Sequence, residues 1–267
     1  MNFVYYEGRF LPEKEAHIPL TDRGLLFGDG VYATIQVRDS IPLFLETHLE
    51  RLSEQCQAIH LALPFFEQAD IFKLIERNQA QKGIWKLKII ITGGDEPALY
   101  LPKRKGRIFM TLHPFHGVSQ SLKLGLFSHP FYLCHASYKS LAHLNRLYVM
   151  QEARDQGVDD CITLTQAGVV LETAFGNLCW VIDKKFYTPH RKLPLYFGVT
   201  ITKVIAFAKT RGYEIEEVEV QFKDLPKEAI YFRTNSMGGV CPIVSIAGEK
   251  KRSAEHPLFP IFESSFS

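Results

Sequence analysis

The segments Tyr138-Lys139-Ser140-Leu141 and Leu171-Glu172-Thr173-Ala174-Phe175-Gly176-Asn177 contain the two residues from which the fold can be argued. A lysine amine can hold an aldehyde cofactor as a Schiff base, and a carboxylate can keep the ring nitrogen of that cofactor protonated. Most single lysines and glutamates are solvated surface residues. Lys139 and Glu172 therefore predict a cofactor site only when phosphate-binding and substrate-binding elements accompany them in the chain.

Composition favours a small-molecule ligand. The 267 residues suffice for one large domain or two smaller ones, and 31 basic against 29 acidic side chains leave a formal charge of +2. This small charge argues against nucleic acid or an anionic membrane as partner. The five cysteines (Cys56, Cys134, Cys161, Cys179 and Cys241) form no Cys-x-x-Cys pair and no metal-ligand spacing, so we expect reduced, mostly buried thiols and no metal site.

Two features of the sequence bear on the location of the protein in the cell. The N-terminal residues lack a basic region followed by an apolar stretch, which argues against a secretory signal. No apolar run approaches the length needed to span a bilayer. We therefore expect a cytoplasmic protein.

Hydrophobic periodicity predicts two α+β domains, 1–113 and 120–267, joined by a linker at 114–119. The predicted strands of the first are 3–6, 9–11, 31–37, 41–44, 85–92 and 107–112, and its helices are 46–59, with Thr47 as cap, and 71–82, ended by Gly83. The predicted strands of the second are 123–127, 160–165, 177–182, 213–220, 229–233 and 240–246, and its helices are 141–156 and 200–210.

Several segments are candidates for holding a phosphate, and each also has a simpler explanation. Arg51, on the first helix, offers a guanidinium fork but could form an ordinary ion pair. Residues 197–200 open a helix, whose free N–H groups bind anions, although Thr200 could merely cap it. The polar turn 234–239 could supply further donors or be a plain loop.

Lys139 follows an otherwise uncharged stretch, residues 131–138. Partial burial there would lower the pKa of its amine and favour the neutral form that a Schiff base needs.

Together these segments resemble the fold type IV pyridoxal phosphate enzymes, a family of branched-chain aminotransferases, D-amino-acid aminotransferases and 4-amino-4-deoxychorismate lyases. The resemblance covers residues 3–246. Residues 22–32 (DRGLLFGDGVY) are similar to the family's early motif, and residues 48–52 (HLERL) to the segment whose arginine holds the phosphate.

The resemblance implies a two-domain α+β (α/β) fold, D-amino-acid aminotransferase-like, and a homodimer with pyridoxal 5'-phosphate as cofactor. Lys139 then corresponds to the Schiff-base lysine and Glu172 to the acid at the pyridine nitrogen. The implied phosphate-binding residues are Arg51, Val199, Thr200 and Ser236, and the implied substrate contacts are Tyr32, Thr34 and Asn235.

Within the family, residues 234–243 (TNSMGGVCPI) are most similar to the lyases, as are 139–141 and 144–147. Residues 92–96 (TGGDE) lack the arginine of the D-amino-acid enzymes, and Leu144 stands where branched-chain enzymes have a tyrosine. The expected activity is therefore a 4-amino-4-deoxychorismate lyase that forms 4-aminobenzoate for folate synthesis. A class IV aminotransferase is the first alternative. A non-catalytic pyridoxal-phosphate-binding protein is the second, because Ala33 replaces the usual glutamate.

Overall fold

The computed structural model describes residues 2–117, 120–131 and 138–251. These residues divide into two compact units. Unit 1 comprises the described residues up to Gly117 together with Tyr138–His143. Unit 2 comprises the other described residues. Both units combine helices with sheet, as the periodicity predicts.

Unit 1 contains eight strands and three α-helices. In chain order they are β1 (Phe3–Tyr6), β2 (Arg9–Pro12), α1 (Arg23–Phe27), β3 (Gly30–Arg38), β4 (Ile41–Pro42), α2 (Leu45–Ala58), β5 (Leu61–Ala62), α3 (Gln68–Arg77), β6 (Ile84–Thr92), β7 (Arg104–Lys105) and β8 (Arg107–Pro114). Six of the strands form a sheet in the order β2-β1-β8-β6-β3-β4, and β5 pairs with β7.

The two faces of the six-stranded sheet differ because side chains alternate along each strand. One face carries aliphatic rows such as Ile35, Leu87 and Leu112, all fully or almost fully buried. Helices α2 and α3 pack on this face through apolar residues that include Leu52 and Leu74. The opposite face therefore carries the alternate residues of β3, β6 and β8.

Local hydrogen bonds place helices α2 and α3 differently from the sequence prediction. The prediction of Thr47 as cap is wrong: Phe44 is the N-cap residue of α2, and the helix begins at Leu45. The prediction of α3 at 71–82 is also wrong at both ends. Glu67 and Asp70 form a capping box that starts α3 three residues earlier. At its other end, Asn78 Nδ2 donates to the carbonyl of Leu74 at 2.9 Å.

Buried ion pairs fix the loop that follows β6. Arg23 Nε donates to Asp29 Oδ2 at 2.6 Å, and its guanidinium also donates to the loop carbonyls of Glu96 at 3.0 Å and Tyr100 at 3.2 Å. Arg104 pairs with the other oxygen of Asp29. Because Arg23 and Asp29 are almost fully buried, these contacts hold the loop more firmly than exposed pairs would.

Unit 2 contains nine strands and two α-helices. In chain order they are β9 (Leu122–Leu126), α4 (Leu144–Asp155), β10 (Asp160–Leu164), β11 (Val170–Thr173), β12 (Asn177–Ile182), β13 (Lys185–Pro189), α5 (Val199–Thr210), β14 (Glu214–Val218), β15 (Ile230–Asn235), β16 (Gly239–Ile246) and β17 (Glu249–Lys250). The sheet order is β11-β10-β9-β16-β15-β12-β13-β14, with β17 paired to β16. Its core includes Trp180, Tyr231 and Ile243.

The segment before α4 is extended, whereas the sequence predicts helix from residue 141. Leu141 N donates to the carbonyl of Gly30 at 3.0 Å, and Tyr32 N donates to the carbonyl of Lys139 at 3.0 Å. Ser140 thus forms an antiparallel bridge with Val31. These bonds to β3 keep the backbone out of the helical conformation until Leu144, and they group the segment with unit 1 although the sequence prediction placed it in domain 120–267.

The four cysteines within the described residues are buried and form no disulfide there. Burial raises the pKa of the Cys56 and Cys161 thiols to about 12, so both are protonated at neutral pH. Cys134 lies outside the described residues. Across the described parts of the chain, no helix combines the length and the apolar character needed to cross a membrane.

Candidate functional site

Lys139 lies beside β3 in unit 1. Its Nζ atom is 5.3 Å from the centroid of the Tyr32 ring. The main chain of the same two residues is joined by the hydrogen bond from Tyr32 N to the carbonyl of Lys139. Strand β3 therefore sets both the backbone and the amine of Lys139, and a rigid strand positions a reactive group well.

Tyr32 is the centre of a small polar cluster. Its hydroxyl is 2.8 Å from Nε2 of His143, and the two rings meet edge to face with centroids 4.9 Å apart. The ammonium of Lys88 lies 5.5 Å from the centroid of the same tyrosine ring. Tyr32 thus has two amines near its ring and an imidazole at its hydroxyl. Thr34 follows two residues later on the same face of β3.

Arg51 also belongs to unit 1 and lies on α2. Its side chain is 28% exposed, and Nε is 3.5 Å from Oε2 of Glu54, one helical turn away. Such an exposed pair within a helix contributes little energy, so the guanidinium can exchange this partner for a stronger anion.

Glu172 lies on β11 in unit 2 and is 2% exposed. Its Oε1 atom accepts hydrogen bonds from Nη2 of Arg146 at 2.8 Å and from the backbone N–H of Tyr196 at 3.2 Å. Arg146 also donates to the carbonyl of Ala174. Hydrogen bonds and a guanidinium partner both favour the charged form of a carboxylate.

Helix α5 begins close to this carboxylate. Its N-cap residue is Gly198, and no side chain caps the helix, so Thr200 is not the capping residue. The N–H groups of the first turn, which includes the buried Val199 and Thr200, have no partner within the helix. Gly198 N donates to Oδ1 of Asn177 at 3.1 Å, and Asn177 Nδ2 donates to the carbonyl of Tyr196 at 2.6 Å.

The turn between β15 and β16 joins the same group of residues. Asn235 Oδ1 accepts hydrogen bonds from the backbone N–H groups of Met237 at 3.1 Å and Gly238 at 2.6 Å. Its Nδ2 atom donates to the carbonyl of Phe175 at 3.0 Å. Ser236 is held inside this turn. Unit 2 therefore brings the predicted residues Glu172, Val199, Thr200, Asn235 and Ser236 together around the 173–177 segment.

This arrangement fits the pyridoxal 5'-phosphate that the resemblance implies. An uncapped start of a twelve-residue helix suits a phosphate, since its N–H groups and its dipole both favour an anion. A buried, ionised carboxylate such as Glu172 suits a protonated ring nitrogen. The donor set of unit 2 is therefore compatible with both ends of the cofactor.

Sequence reasoning missed three residues of these clusters, namely Lys88, His143 and Arg146. For Lys88 a signal existed, because charged and apolar residues alternate over 86–89 and place it on the face opposite the aliphatic core. Arg146 was noticed only as part of a lyase-like motif. Its pairing with Glu172 depends on the way α4 packs beside β10 and β9, which spacing alone does not reveal.

Comparison with known proteins identifies chains that are similar over most of the length. The family model described as amino-transferase class IV matches residues 30–246. A provisionally named branched-chain-amino-acid aminotransferase of Methanocaldococcus jannaschii is 26% identical over 92% of this chain and 88% of the relative. The aminodeoxychorismate lyase of Vibrio harveyi is 26% identical over 89% of this chain and 90% of the relative. The D-alanine aminotransferase of Bacillus licheniformis is also 26% identical, over 92% and 89%.

Solved structures show the same architecture at lower identity. The branched-chain aminotransferase of Thermoproteus uzoniensis with norvaline superposes with a TM-score of 0.87 at 20% identity, covering 99% of this chain and 93% of that chain. A hypothetical aminotransferase of Mycobacterium tuberculosis in its PLP-bound form gives a TM-score of 0.84 at 19% identity, covering 99% and 97%. At these identities the likeness concerns the fold.

Proposed function

Because the chain belongs to the class IV aminotransferase family, we propose that it performs the lyase reaction known in that family. In this reaction 4-amino-4-deoxychorismate is converted to 4-aminobenzoate and pyruvate. The expected fold type IV architecture is confirmed, since the solved relatives superpose over nearly the entire chain. Pyridoxal 5'-phosphate is the cofactor.

The chain's own residues would hold the cofactor at three positions: the aldehyde carbon, the pyridine nitrogen and the phosphate. In our proposal, Lys139 holds the aldehyde carbon and Glu172 holds the proton on the pyridine nitrogen. Arg51, the first-turn amides at Val199 and Thr200, and the Ser236 hydroxyl bind the phosphate. When bound, the cofactor supplies an aldehyde that condenses with an amine and a ring that accepts an electron pair.

Lys139 has a second role as a general base. With the substrate amine bound in place of Nζ, the released Lys139 amine would take the proton from the amine-bearing carbon of the substrate. The carbon–oxygen bond to the enolpyruvyl group breaks, and the oxygen keeps the bonding electrons. The six-membered ring of the substrate thereby becomes aromatic. The departing enolpyruvate gains a proton and becomes pyruvate. The ring of Tyr32, 5.3 Å from Nζ, limits where this amine can move.

Glu172 and Arg146 act as a pair in this proposal. Arg146 keeps the carboxylate of Glu172 ionised through the 2.8 Å contact at Oε1. The backbone N–H of Tyr196 fixes the same oxygen, so the carboxyl plane is set by two donors. An ionised, immobile carboxylate maintains a proton on the pyridine nitrogen throughout the reaction.

The turn at Asn235 is the observation that favours the lyase over a transaminase. Its side chain organises the turn through the N–H groups of Met237 and Gly238 and ties it to Phe175. Thr34, on the same strand face as Tyr32, adds a small polar group where a glutamate at the preceding position is replaced by Ala33. The absence of a carboxylate at position 33 avoids repulsion of a substrate that itself carries two carboxylates.

Product assays distinguish the lyase from a transaminase. The purified protein, loaded with pyridoxal 5'-phosphate, is given 4-amino-4-deoxychorismate in one reaction and branched-chain or D-amino acids with 2-oxoglutarate in others. We expect 4-aminobenzoate and pyruvate in equal amounts in the first reaction and no glutamate above background in the others. Glutamate formation without 4-aminobenzoate would show that the enzyme is a transaminase.

We further propose that the enzyme is a homodimer, as the resemblance implies. Helix α1 exposes three large apolar side chains in succession, Leu25, Leu26 and Phe27, each more than half exposed. Contiguous exposed apolar groups of this size mark interaction surfaces. Sedimentation equilibrium should give twice the chain mass of 30.5 kDa. Replacing Leu26 and Phe27 by serine should shift the protein toward monomer, and a wild-type monomer at all concentrations would refute the proposal.

A further inference from the structure

Asn177 is a buried polar residue in a strand, an environment in which asparagine is uncommon. It is the first residue of β12, is 6% exposed and is paired in register with Thr234 on β15. A buried amide is tolerated when its donor and acceptor atoms have partners. Both ends of the Asn177 side chain have such partners, and both partners are main-chain groups of the segment that leads into α5.

A tight turn fixes Asn177 relative to Glu172. Thr173 N donates to the carbonyl of Gly176 at 2.9 Å, and the Thr173 hydroxyl donates to the same carbonyl at 3.1 Å. These bonds close the turn between β11 and β12, which has Glu172 just before it and Asn177 just after it. The main chain therefore holds the two residues at a fixed separation.

The Asn177 amide holds two consecutive peptide groups at the start of α5. Its Nδ2 atom donates to the carbonyl of Tyr196 at 2.6 Å, and its Oδ1 atom accepts from Gly198 N at 3.1 Å. A methyl group added at Gly198 would lie only 3.0 Å from this Oδ1 atom, so the main chain approaches the amide closely. Since Gly198 is the N-cap residue, the amide sets the position at which the first turn of α5 begins.

The same segment provides a donor to Glu172. Tyr196 N donates to Oε1 of Glu172 at 3.2 Å, while the carbonyl of Tyr196 accepts from Asn177. The two peptide groups that flank Tyr196 are planar, and only the two backbone dihedrals of Tyr196 lie between them. By fixing the carbonyl, Asn177 therefore restrains the N–H group that Glu172 receives.

Few side chains could replace this amide. An amide contains an acceptor oxygen and a donor nitrogen, whereas an ionised carboxylate only accepts and an aliphatic side chain does neither. Truncation of Asn177 would remove a partner from the Tyr196 carbonyl and from the Gly198 N–H group at once. The 196–198 segment could then shift relative to Glu172.

We propose that Asn177 is a positioning residue that couples the two cofactor contacts of unit 2, the Glu172 carboxylate and the first-turn N–H groups of α5. This inference rests on the roles proposed for Glu172 and for Val199 and Thr200. Asn177 acts through the main chain of the 196–198 segment. It sets the distance between the carboxylate that keeps the ring nitrogen protonated and the amides that bind the phosphate.

Two cofactor signals, both measured without substrate, test this coupling. The Kd of pyridoxal 5'-phosphate is determined by titration, and NMR of a cofactor labelled at the ring nitrogen follows the protonation of that atom against pH. In Asn177→Ala the Kd should rise about tenfold or more, as expected when buried main-chain groups lose their partners. The ring nitrogen should also lose its proton at lower pH than in wild type, because Glu172 is no longer fixed. Ser236→Ala, which removes a phosphate contact alone, should change only the Kd.

Two further variants separate positioning from a loss of stability. Gly198→Ala keeps the Asn177 amide but displaces it, and should change both signals in the same directions, with a Kd about threefold to tenfold higher. Asn78→Ala removes another buried asparagine, in unit 1, whose side chain also bonds to the main chain of Phe3 and Leu74. It should lower thermal stability but leave the Kd within about threefold and the ring nitrogen unchanged.

A change in neither signal or in only one of them in Asn177→Ala would overturn the inference, as would equal changes in Asn78→Ala. If Asn177→Ala does not fold, Gly198→Ala decides by the same criteria. If Asn177→Ala has no effect while Glu172→Gln shifts the ring nitrogen, the coupling is wrong and the proposed site stands. If Glu172→Gln leaves the ring nitrogen unchanged, the role proposed for Glu172 fails and the coupling fails with it. None of these measurements depends on the lyase reaction.

Discussion

Replacing Lys139 by alanine is expected to reduce turnover by at least about 10³-fold, because one amine serves both as the attachment point of the cofactor and as the general base. The visible absorbance of the loaded enzyme should shift to that of free pyridoxal phosphate. Binding of the phosphate end should persist, since Val199, Thr200 and Ser236 belong to the other unit and are unchanged. Initial rates and absorbance spectra of the reconstituted variant measure both effects.

Lys82→Ala is the matched control for this experiment. Lys82 is exposed and lies before β6 in the same unit. Its loss should leave both the rate and the spectrum unchanged. Retention of the bound cofactor's spectrum and of more than about a tenth of the rate in Lys139→Ala would contradict the role assigned to Lys139.

Replacing Glu172 by glutamine is expected to lower the rate about 100- to 1,000-fold, the usual cost of losing one preorganised electrostatic contact. Glutamine keeps the shape of the side chain and can still accept the hydrogen bond from Tyr196 N. It cannot carry the charge that holds a proton on the pyridine nitrogen. The Arg146 guanidinium then lies opposite a neutral amide, and its uncompensated charge further disfavours that proton.

The measurement pairs kcat with a titration of the bound cofactor's absorbance against pH. In Glu172→Gln the ring nitrogen should lose its proton at lower pH than in wild type, because the carboxylate that stabilised the charged form is gone. Glu214→Gln is the control, since Glu214 has a lysine partner, Lys185 at 3.3 Å, but is exposed. An unchanged rate in Glu172→Gln, or an equal loss in Glu214→Gln, would refute the assignment.

The strands of both units follow closely from the sequence because β-branched and aliphatic residues are concentrated in them. The predicted strand 31–37 is observed as Gly30–Arg38, and the predicted strand 177–182 as Asn177–Ile182. Buried β-branched and aliphatic residues fix these positions. The class of fold could therefore be predicted from periodicity, and its particular type from the resemblance over residues 3–246.

Helix ends were harder to predict, since they depend on single hydrogen bonds. Gly83 was a reasonable stop signal for α3, but the side chain of Asn78 bonds to the carbonyl of Leu74 and to Phe3, and the helix ends there. The sequence also extended α4 back to residue 141. The competing bond from Leu141 N to Gly30 comes from a strand more than one hundred residues earlier, which local propensity does not include.

The candidate site, too, could be predicted only in part from the sequence. Lys139 and Glu172 were predicted from their chemical types and the resemblance. Arg146 and His143 could not be, because their importance arises from partners: the Glu172 carboxylate and the Tyr32 hydroxyl. These pairings follow from strand register and helix packing, and both are tertiary properties.

Identification of the lysine that carries the cofactor is the most direct test of the central claim. The enzyme loaded with pyridoxal 5'-phosphate is reduced with borohydride, digested, and analysed by mass spectrometry for the pyridoxyl-modified peptide. We predict a single modified residue, Lys139, formed in amounts close to one per chain. Modification at Lys88 or at another lysine, with Lys139 unmodified, would contradict the claim that Lys139 and Glu172 hold the two sides of the cofactor.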